Sequence, residues 1–347
     1  MLSKGFKIVS PKTFELDIED INFNIGEAIV KIEHATICKA DLRYYLGNRD
    51  KRILGLKYPM RLIHEATGTI LKSNSGEFSV GDKVILAPNI CKCDICDFRY
   101  AKDNMLGTNY CPKAKFASSN YDGFSTEIIA YPSKNIIRYD DNIISSKIAV
   151  FSELITVAIS AIRRVNSLEN KTVGIWGDGI VGYMLAHVIK SMYKTSEVVC
   201  IGKNKDKLDK FNVDKIYMIN TPVLNRINLD VAFECVGGDF AENAINEMIE
   251  SVTFGGDIVL TGVSENGSRI NTRRILEKAI RITGSTRSTV DDFKKAVELL
   301  NDKDLSNQIE KLVLSENIVE NISDYYSVFE KEVENNKLGK NIIRFNL

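Results

Sequence analysis

The chain has 347 residues, enough for two domains that each bury a core. Its 44% apolar and 27% charged residues are those of an ordinary globular protein, and 46 Lys and Arg balance 46 Asp and Glu. Such neutrality argues against wholesale binding to nucleic acid or to an anionic membrane, so any selectivity for anions is expected from a local patch.

The N-terminus, Met1–Gly5, lacks the apolar core of a signal peptide, and the longest apolar stretch, Ile180–Ile189, is too short to span a bilayer. Seven cysteines are present, four of them between Cys91 and Cys111. Clustering of this kind without a secretion signal reads as metal binding and not as a disulfide framework, and a cytoplasmic protein is expected.

In chain order, the first part carries short β-like runs: Ala28–Ile32, Gly68–Leu71, Lys83–Leu86 and Thr126–Ala130. Near Phe151 the pattern becomes helical, with Leu154, Ala158, Ala161, Ile162 and Val165 on one face. From Lys171 strands and helices alternate. The strands expected are Thr172–Trp176, Glu197–Ile201, Asp230–Cys235, Asp257–Gly262 and Ala279–Gly284, with helices over Ile180–Lys190 and Asp239–Glu250. That rhythm predicts a parallel doubly wound sheet. A helix over Val290–Leu300 and a closing strand at Asn341–Phe345 return the chain to the first domain. The expected organisation is a β-rich domain over residues 1–150, completed by 285–347, and a dinucleotide-binding domain over 151–284.

Gly177-Asp178-Gly179-Ile180-Val181-Gly182 forms a GxGxxG motif between an expected strand and an expected helix, the context that raises it above chance. Gly177 permits the tight turn, Gly179 the approach of a pyrophosphate, and Gly182 close helix–strand packing, while the amides opening the helix at Ile180 and Val181 face the phosphates. An NAD-binding fold usually ends its second strand on Asp or Glu. Here Gly202 stands there, followed by Lys203 and Lys205, which favours NADPH; an aspartate introduced at 202 is expected to turn the preference toward NADH. The bland alternative is a solvated charged loop.

Cys38, His64, Glu65 and Glu153 supply a thiolate, an imidazole and two carboxylates, the ligand types of a Lewis-acid zinc. Singly, each has a plainer reading, because a lone cysteine is most often a small buried hydrophobe. Glu153 is the most telling, since a carboxylate on an otherwise apolar helix needs a counter-charge.

Over nearly its whole length the sequence resembles the zinc-dependent medium-chain dehydrogenase/reductase family. Cys38-Lys39-Ala40-Asp41 matches the family's Cys-x-x-Asp, His64-Glu65 its His-Glu pair, and Phe151–Val157 the segment in which the polyol branch has a glutamate ligand. The resemblance implies a β-rich GroES-like catalytic domain plus a Rossmann domain, a catalytic zinc on Cys38, His64, Glu65 and Glu153, and an orienting role for Asp41. The runs Arg43–Tyr45, Leu62–Glu65, Gly174–Gly179, Phe233–Gly238 and Gly284–Ser288 are similar to those of the ribulose-5-phosphate reductases. That likeness implies zinc- and NADPH-dependent reduction of D-ribulose 5-phosphate to D-ribitol 5-phosphate, work beside a cytidylyltransferase that makes CDP-ribitol for teichoic acids and capsules, and a homo-oligomer, dimer or tetramer. A phosphorylated ketose needs a cationic anchor; Arg43 is the first candidate, with Tyr44 beside it, ahead of Arg49, Arg52, Lys57 and Arg61.

The pattern departs in two places. Ala40 stands where many relatives have a hydroxyl that starts a proton relay, leaving Tyr44, Tyr45, a zinc-bound water and Glu65 as candidates. Cys91, Cys93, Cys96 and Cys111 resemble the family's structural zinc lobe, with one spacing shortened and fourteen residues before the last cysteine. The alternatives to the reductase are another polyol or polyol-phosphate dehydrogenase of the same fold, and a non-catalytic NADPH-binding subunit.

Overall fold

The computed structural model describes residues 1–74, 76–91 and 106–347. The strands in chain order are β1 (Leu2–Ser10), β2 (Thr13–Asp20), β3 (Glu27–Thr36), β4 (Met60–Arg61), β5 (Glu65–Ser73), β6 (Lys83–Leu86), β7 (Asn89–Ile90), β8 (Lys115–Phe116), β9 (Ile128–Pro132) and β10 (Ile136–Arg138). The series continues with β11 (Thr172–Trp176), β12 (Glu197–Gly202), β13 (Lys215–Met218), β14 (Leu229–Glu234), β15 (Val252–Leu260), β16 (Arg281–Gly284), β17 (Val313–Val319) and β18 (Lys340–Phe345).

The chain divides into two compact units. One runs from Met1 and takes in Thr108–Glu153 and Thr289–Leu347; the other takes in Leu154–Ser288. In the first, a mixed sheet has the order β10-β6-β5-β3-β18-β17, with β9 also on β3, and a smaller sheet has the order β2-β1-β4. The β1–β2 hairpin, unforeseen in the sequence because β2 alternates imperfectly, packs its Phe6 and Phe14 rings against Tyr325 at 4.6 and 4.8 Å. Tyr45 stacks on Phe14 at 5.2 Å. This aromatic cluster joins the hairpin to the helices Lys39–Tyr45 and Ile322–Val333, and so fixes the helix that starts at Cys38.

In the second unit all neighbouring strands are parallel, in the order β13-β12-β11-β14-β15-β16. Helices cover such a sheet on both faces, so its central strands read as continuous apolar runs: Val173, Ile175, Trp176, Val198 and Ile201 are all fully buried. The strand order reverses between β11 and β14, the point at which doubly wound sheets take a nucleotide. The helix Ile180–Met192 follows β11 directly after the glycine turn.

Candidate metal centre and cofactor turn

Among the described residues, the candidate ligand atoms of Cys38, His64 and Glu65 lie within 4.8 Å of one another. Cys38 is the N-cap of the helix Lys39–Tyr45, and Asp41 in its first turn is 1% exposed. The Asp41 carboxylate accepts the amide proton of Cys38 at 2.9 Å and that of Ile63 at 3.1 Å, and the Ser118 hydroxyl also donates to it. One buried carboxylate therefore ties the segment carrying the thiol to the segment carrying the imidazole. Asp41 Oδ1 also faces His64 Nδ1 at 3.4 Å, the carboxylate–imidazole arrangement that orients a metal-bound histidine. Burial alone would lower the His64 pKa, but the Asp41 charge and then Cys38 raise it well above the ordinary value. Burial would likewise raise Asp41, yet His64 and the hydrogen bonds it accepts hold its carboxyl low.

His64 leaves a strained backbone. Ile63 has φ +72°, an outlier for a β-branched residue, and is fully buried. The segment 61–63 is held by the facing segment: Gly123, Phe124 and Ser125 donate to the carbonyls of Arg61, Ile63 and Leu62 at 2.9, 2.8 and 3.1 Å. A Cβ at Gly123 would lie 2.3 Å from the carbonyl oxygens of both Leu62 and Ile63, so only glycine admits this approach. Strain retained under such tight constraint is typical of functional sites.

Glu65 is paired with a cation of its own. Lys340, which opens β18, donates from Nζ to Glu65 Oε1 at 2.6 Å and Oε2 at 2.5 Å, and Thr36, opposite Glu65 on β3, donates its hydroxyl to Oε2. Both charged side chains are essentially withdrawn from water. Burial opposes the charge on Lys340, but Glu65 and then Cys38 keep its pKa above the usual lysine value. Lys340 and Thr36 were missed in the sequence; the signal was a lysine opening the apolar run of the closing strand.

Glu153, second residue of the helix Ser152–Ile162, is buried but does not belong to the trio of clustered ligand atoms. Burial and the neighbouring Glu65 charge push its carboxyl up to about 7, while His64 and Lys340 pull the other way. A cation among these donors is the natural counter-charge. Thiol, imidazole and carboxylate within one small cluster fit a catalytic zinc, which takes three protein ligands and keeps an open position.

Around this centre, Arg43 is half-buried in the last turn of the helix Lys39–Tyr45, and the Arg49 guanidinium lies 4.4 Å from the Tyr44 ring centroid. Arg61 is withdrawn from the anchor candidates, because it is 3% exposed and bonded to Asp17 at 2.6 and 2.8 Å and to Glu19. Tyr45 is withdrawn from the proton-relay candidates, since its hydroxyl donates to Glu330 at 2.5 Å. Of the lobe cysteines, Cys91 packs beside the buried Cys111. Cys93 and Cys96 lie outside the described residues.

The cofactor turn is built mostly from backbone. Gly177 has φ +132°, and a Cβ there would meet the Cys235 carbonyl oxygen at 2.8 Å. A Cβ at Gly182 would meet the Gly177 carbonyl oxygen at 2.2 Å, whereas the position at Gly179 is open. Gly179 caps the helix Ile180–Met192 without a side-chain hydrogen bond, leaving the amides of its first turn, Ile180 and Val181 included, to face an anion. These features fit a dinucleotide pyrophosphate. Glu234, 1% exposed at the end of β14, accepts the amides of Val236 and Gly237 at 2.7 Å each and that of Gly262 at 2.9 Å, fixing the loops after β14 and β15. After β12, Lys203 Nζ lies 4.8 Å from the Phe240 ring centroid, and Lys205 pairs with Asp209 at 2.8 Å.

A GroES-like β domain carrying a thiol, an imidazole and a carboxylate in one cluster, and a Rossmann sheet carrying a glycine turn, are the marks of the zinc-dependent dehydrogenases. Residues 24–141 match the alcohol dehydrogenase GroES-like domain and residues 181–302 the zinc-binding dehydrogenase domain. The chain belongs to the zinc-dependent medium-chain dehydrogenase/reductase family.

More narrowly, it is 35% identical to ribulose-5-phosphate reductase 1 of Staphylococcus aureus, covering 99% of each chain. It is 34% identical to the ribulose-5-phosphate reductase of Bacillus spizizenii over the full length of both. Among solved structures it superposes on Staphylococcus aureus TarJ in complex with NADPH, with a TM-score of 0.86, 32% identity and full coverage of both chains. Among the described residues, no helix is long and apolar enough to cross a membrane.

Proposed function

We propose that the protein is a zinc- and NADPH-dependent reductase that converts D-ribulose 5-phosphate to D-ribitol 5-phosphate. The observation that carries this reading is the cluster of half-buried Cys38 with buried His64 and Glu65 in a chain that aligns end to end with ribulose-5-phosphate reductases. When bound, zinc supplies Lewis acidity toward the ketone oxygen and NADPH supplies the hydride.

The protein's own residues do the rest. Cys38, His64 and Glu65 would hold the metal, Glu153 stands beside them as a further candidate ligand, and Asp41 keeps the thiol and imidazole segments in register. Lys340 balances the Glu65 charge in a dry site. Arg43, beside Tyr44, receives the substrate phosphate. Gly177, Gly179 and Gly182 with the amides of Ile180 and Val181 seat the pyrophosphate, and Gly202, Lys203 and Lys205 accommodate the adenosine 2′-phosphate. We assign the product to a following cytidylyl transfer and the enzyme to the cytoplasm as a homo-oligomer, a reading supported by its likeness to those reductases.

The test is NADPH consumption by the zinc-loaded protein across ribulose 5-phosphate, xylulose 5-phosphate and fructose 6-phosphate. Preferential turnover of ribulose 5-phosphate is expected. Preference for another sugar would move the protein to a different polyol-phosphate reaction, and NADPH binding without any turnover would revive the non-catalytic reading. Glu153→Ala is expected to lower zinc content and abolish reduction while NADPH still binds; unchanged turnover would remove Glu153 from the ligand set.

A further inference from the structure

The end of β12 is filled from elsewhere in the chain. Gly202 closes that strand, buried and aligned with Met218 of β13. Asp178, inside the glycine turn after β11, reaches across to it. Its Oδ2 accepts the amide proton of Lys203 at 2.8 Å and that of Asn204 at 2.7 Å. A Cβ at position 202 would stand 2.8 Å from both Cβ and Oδ2 of Asp178. The turn is also held from its far side, where the Asn204 side chain accepts the Lys207 amide at 3.1 Å and caps the helix Lys205–Leu208.

We propose that Asp178 is the positioning residue for NADPH selectivity: it sets the turn that presents Lys203 to the adenosine 2′-phosphate, and its side chain bars a carboxylate from position 202. The proposal rests on the NADPH-dependent reading above. In an NAD-binding fold the acidic residue at this strand end points at the ribose hydroxyls. Here the strand end has no side chain, and the carboxylate arriving from Asp178 commits one oxygen to two main-chain amides. Such charge-assisted bonds are strong enough to fix a two-residue turn. Lys205 gives its charge to Asp209, whereas Lys203 rests on a ring face, which holds the side chain without cancelling its charge.

The geometry also revises the expectation for Gly202→Asp. The new side chain collides with Asp178 and sets two carboxylates on one turn. Alone it weakens NADPH without creating a site for NADH; the switch requires removal of Asp178 in the same molecule.

The experiment is calorimetric titration of the zinc-loaded full chain with NADPH, NADH, 2′,5′-ADP and 5′-ADP. It compares the unaltered protein with Asp178→Ala, Asp178→Asn, Gly202→Asp and the Asp178→Ala/Gly202→Asp double variant, each checked by thermal melting. Asp178→Ala should lose about tenfold in affinity for NADPH and 2′,5′-ADP, the size of one or two lost hydrogen bonds, with little change for 5′-ADP. Asp178→Asn keeps an acceptor oxygen and should retain the preference. Only the double variant should gain NADH affinity. An unchanged NADPH preference in Asp178→Ala, a loss in Asp178→Asn as large as in Asp178→Ala, or a gain of NADH by Gly202→Asp alone would each overturn the proposal while leaving the NADPH reading intact. Equal affinity of the unaltered protein for NADPH and NADH would overturn that reading and the proposal with it.

Discussion

The metal centre and the cofactor turn solve opposite problems. Around Cys38 the functional groups are charged side chains out of water, and each is stabilised by another: Glu65 by Lys340, Asp41 by three donors and the His64 ring. Around Gly177 the functional groups are main-chain amides, and carboxylates serve as struts that shape loops, as Asp178 and Glu234 do. Removing a partner from the first kind of site strands a buried charge. In the second kind it loosens a turn. The difference predicts steep losses in one unit and graded ones in the other.

The largest expected break is Cys38→Ala. Loss of the thiolate should remove zinc and several kcal/mol of transition-state stabilisation, on the order of a thousandfold in turnover. NADPH affinity should be unchanged, as measured by titration; a parallel loss of cofactor binding would mean that the two sites are not separable.

Next comes Lys340→Met, which leaves Glu65 buried and unpaired. It should destabilise the protein by about 3 kcal/mol in denaturant unfolding. The Lys340→Met/Glu65→Gln double variant should recover most of that loss, and a double variant no more stable than the single one would show that the pair is not the cause.

Asp41→Ala should be milder, lowering zinc affinity by about 10- to 100-fold in chelator competition, as expected for a group that orients ligands. Full zinc affinity in this variant would leave Asp41 only a structural part.

The smallest effect lies outside both sites. Burial favours the neutral form of Asp17, but its hydrogen bond and charge interaction with Arg61 outweigh that and hold the carboxyl below its ordinary value. A carboxyl depressed in the folded state adds stability that is present above its unfolded pKa and lost as pH falls through the folded one. Stability should therefore fall more steeply below about pH 4 in the unaltered protein than in Arg61→Leu. Parallel acid profiles would show that the pair contributes nothing measurable.

The two regions also differ in how far they could be read from the chain alone. The cofactor turn was legible because its requirements are local: Gly177, Gly179 and Gly182 have fixed spacing between a strand and a helix, and β11 and the helix Ile180–Met192 lie where the periodicity places them. Asp178 sits within the same motif yet its role was invisible, since it depends on where β12 ends in space. The grouping of Cys38, His64 and Glu65 was legible by resemblance, but its supports were not. Lys340 meets Glu65 from the last strand, and Ser118 meets Asp41 from a loop far along the chain. No periodicity encodes contacts of that range. Arg61 misled for the same reason: as a sequence it is one more basic residue before His64, and only the β1–β2 hairpin supplies the acids that claim it.

The absent side chain of Gly123 has a practical consequence for anyone transplanting or redesigning this centre. Residues 61–64 and 123–125 form one module, because the backbone that delivers His64 takes its shape from a partner strand that must carry no Cβ where the two meet. A graft that copies Cys38, His64 and Glu65 but not Gly123 would bring every clustered donor and aim one of them wrongly. The part to copy is a pair of crossing chain segments, with the glycine counted among the metal-site residues.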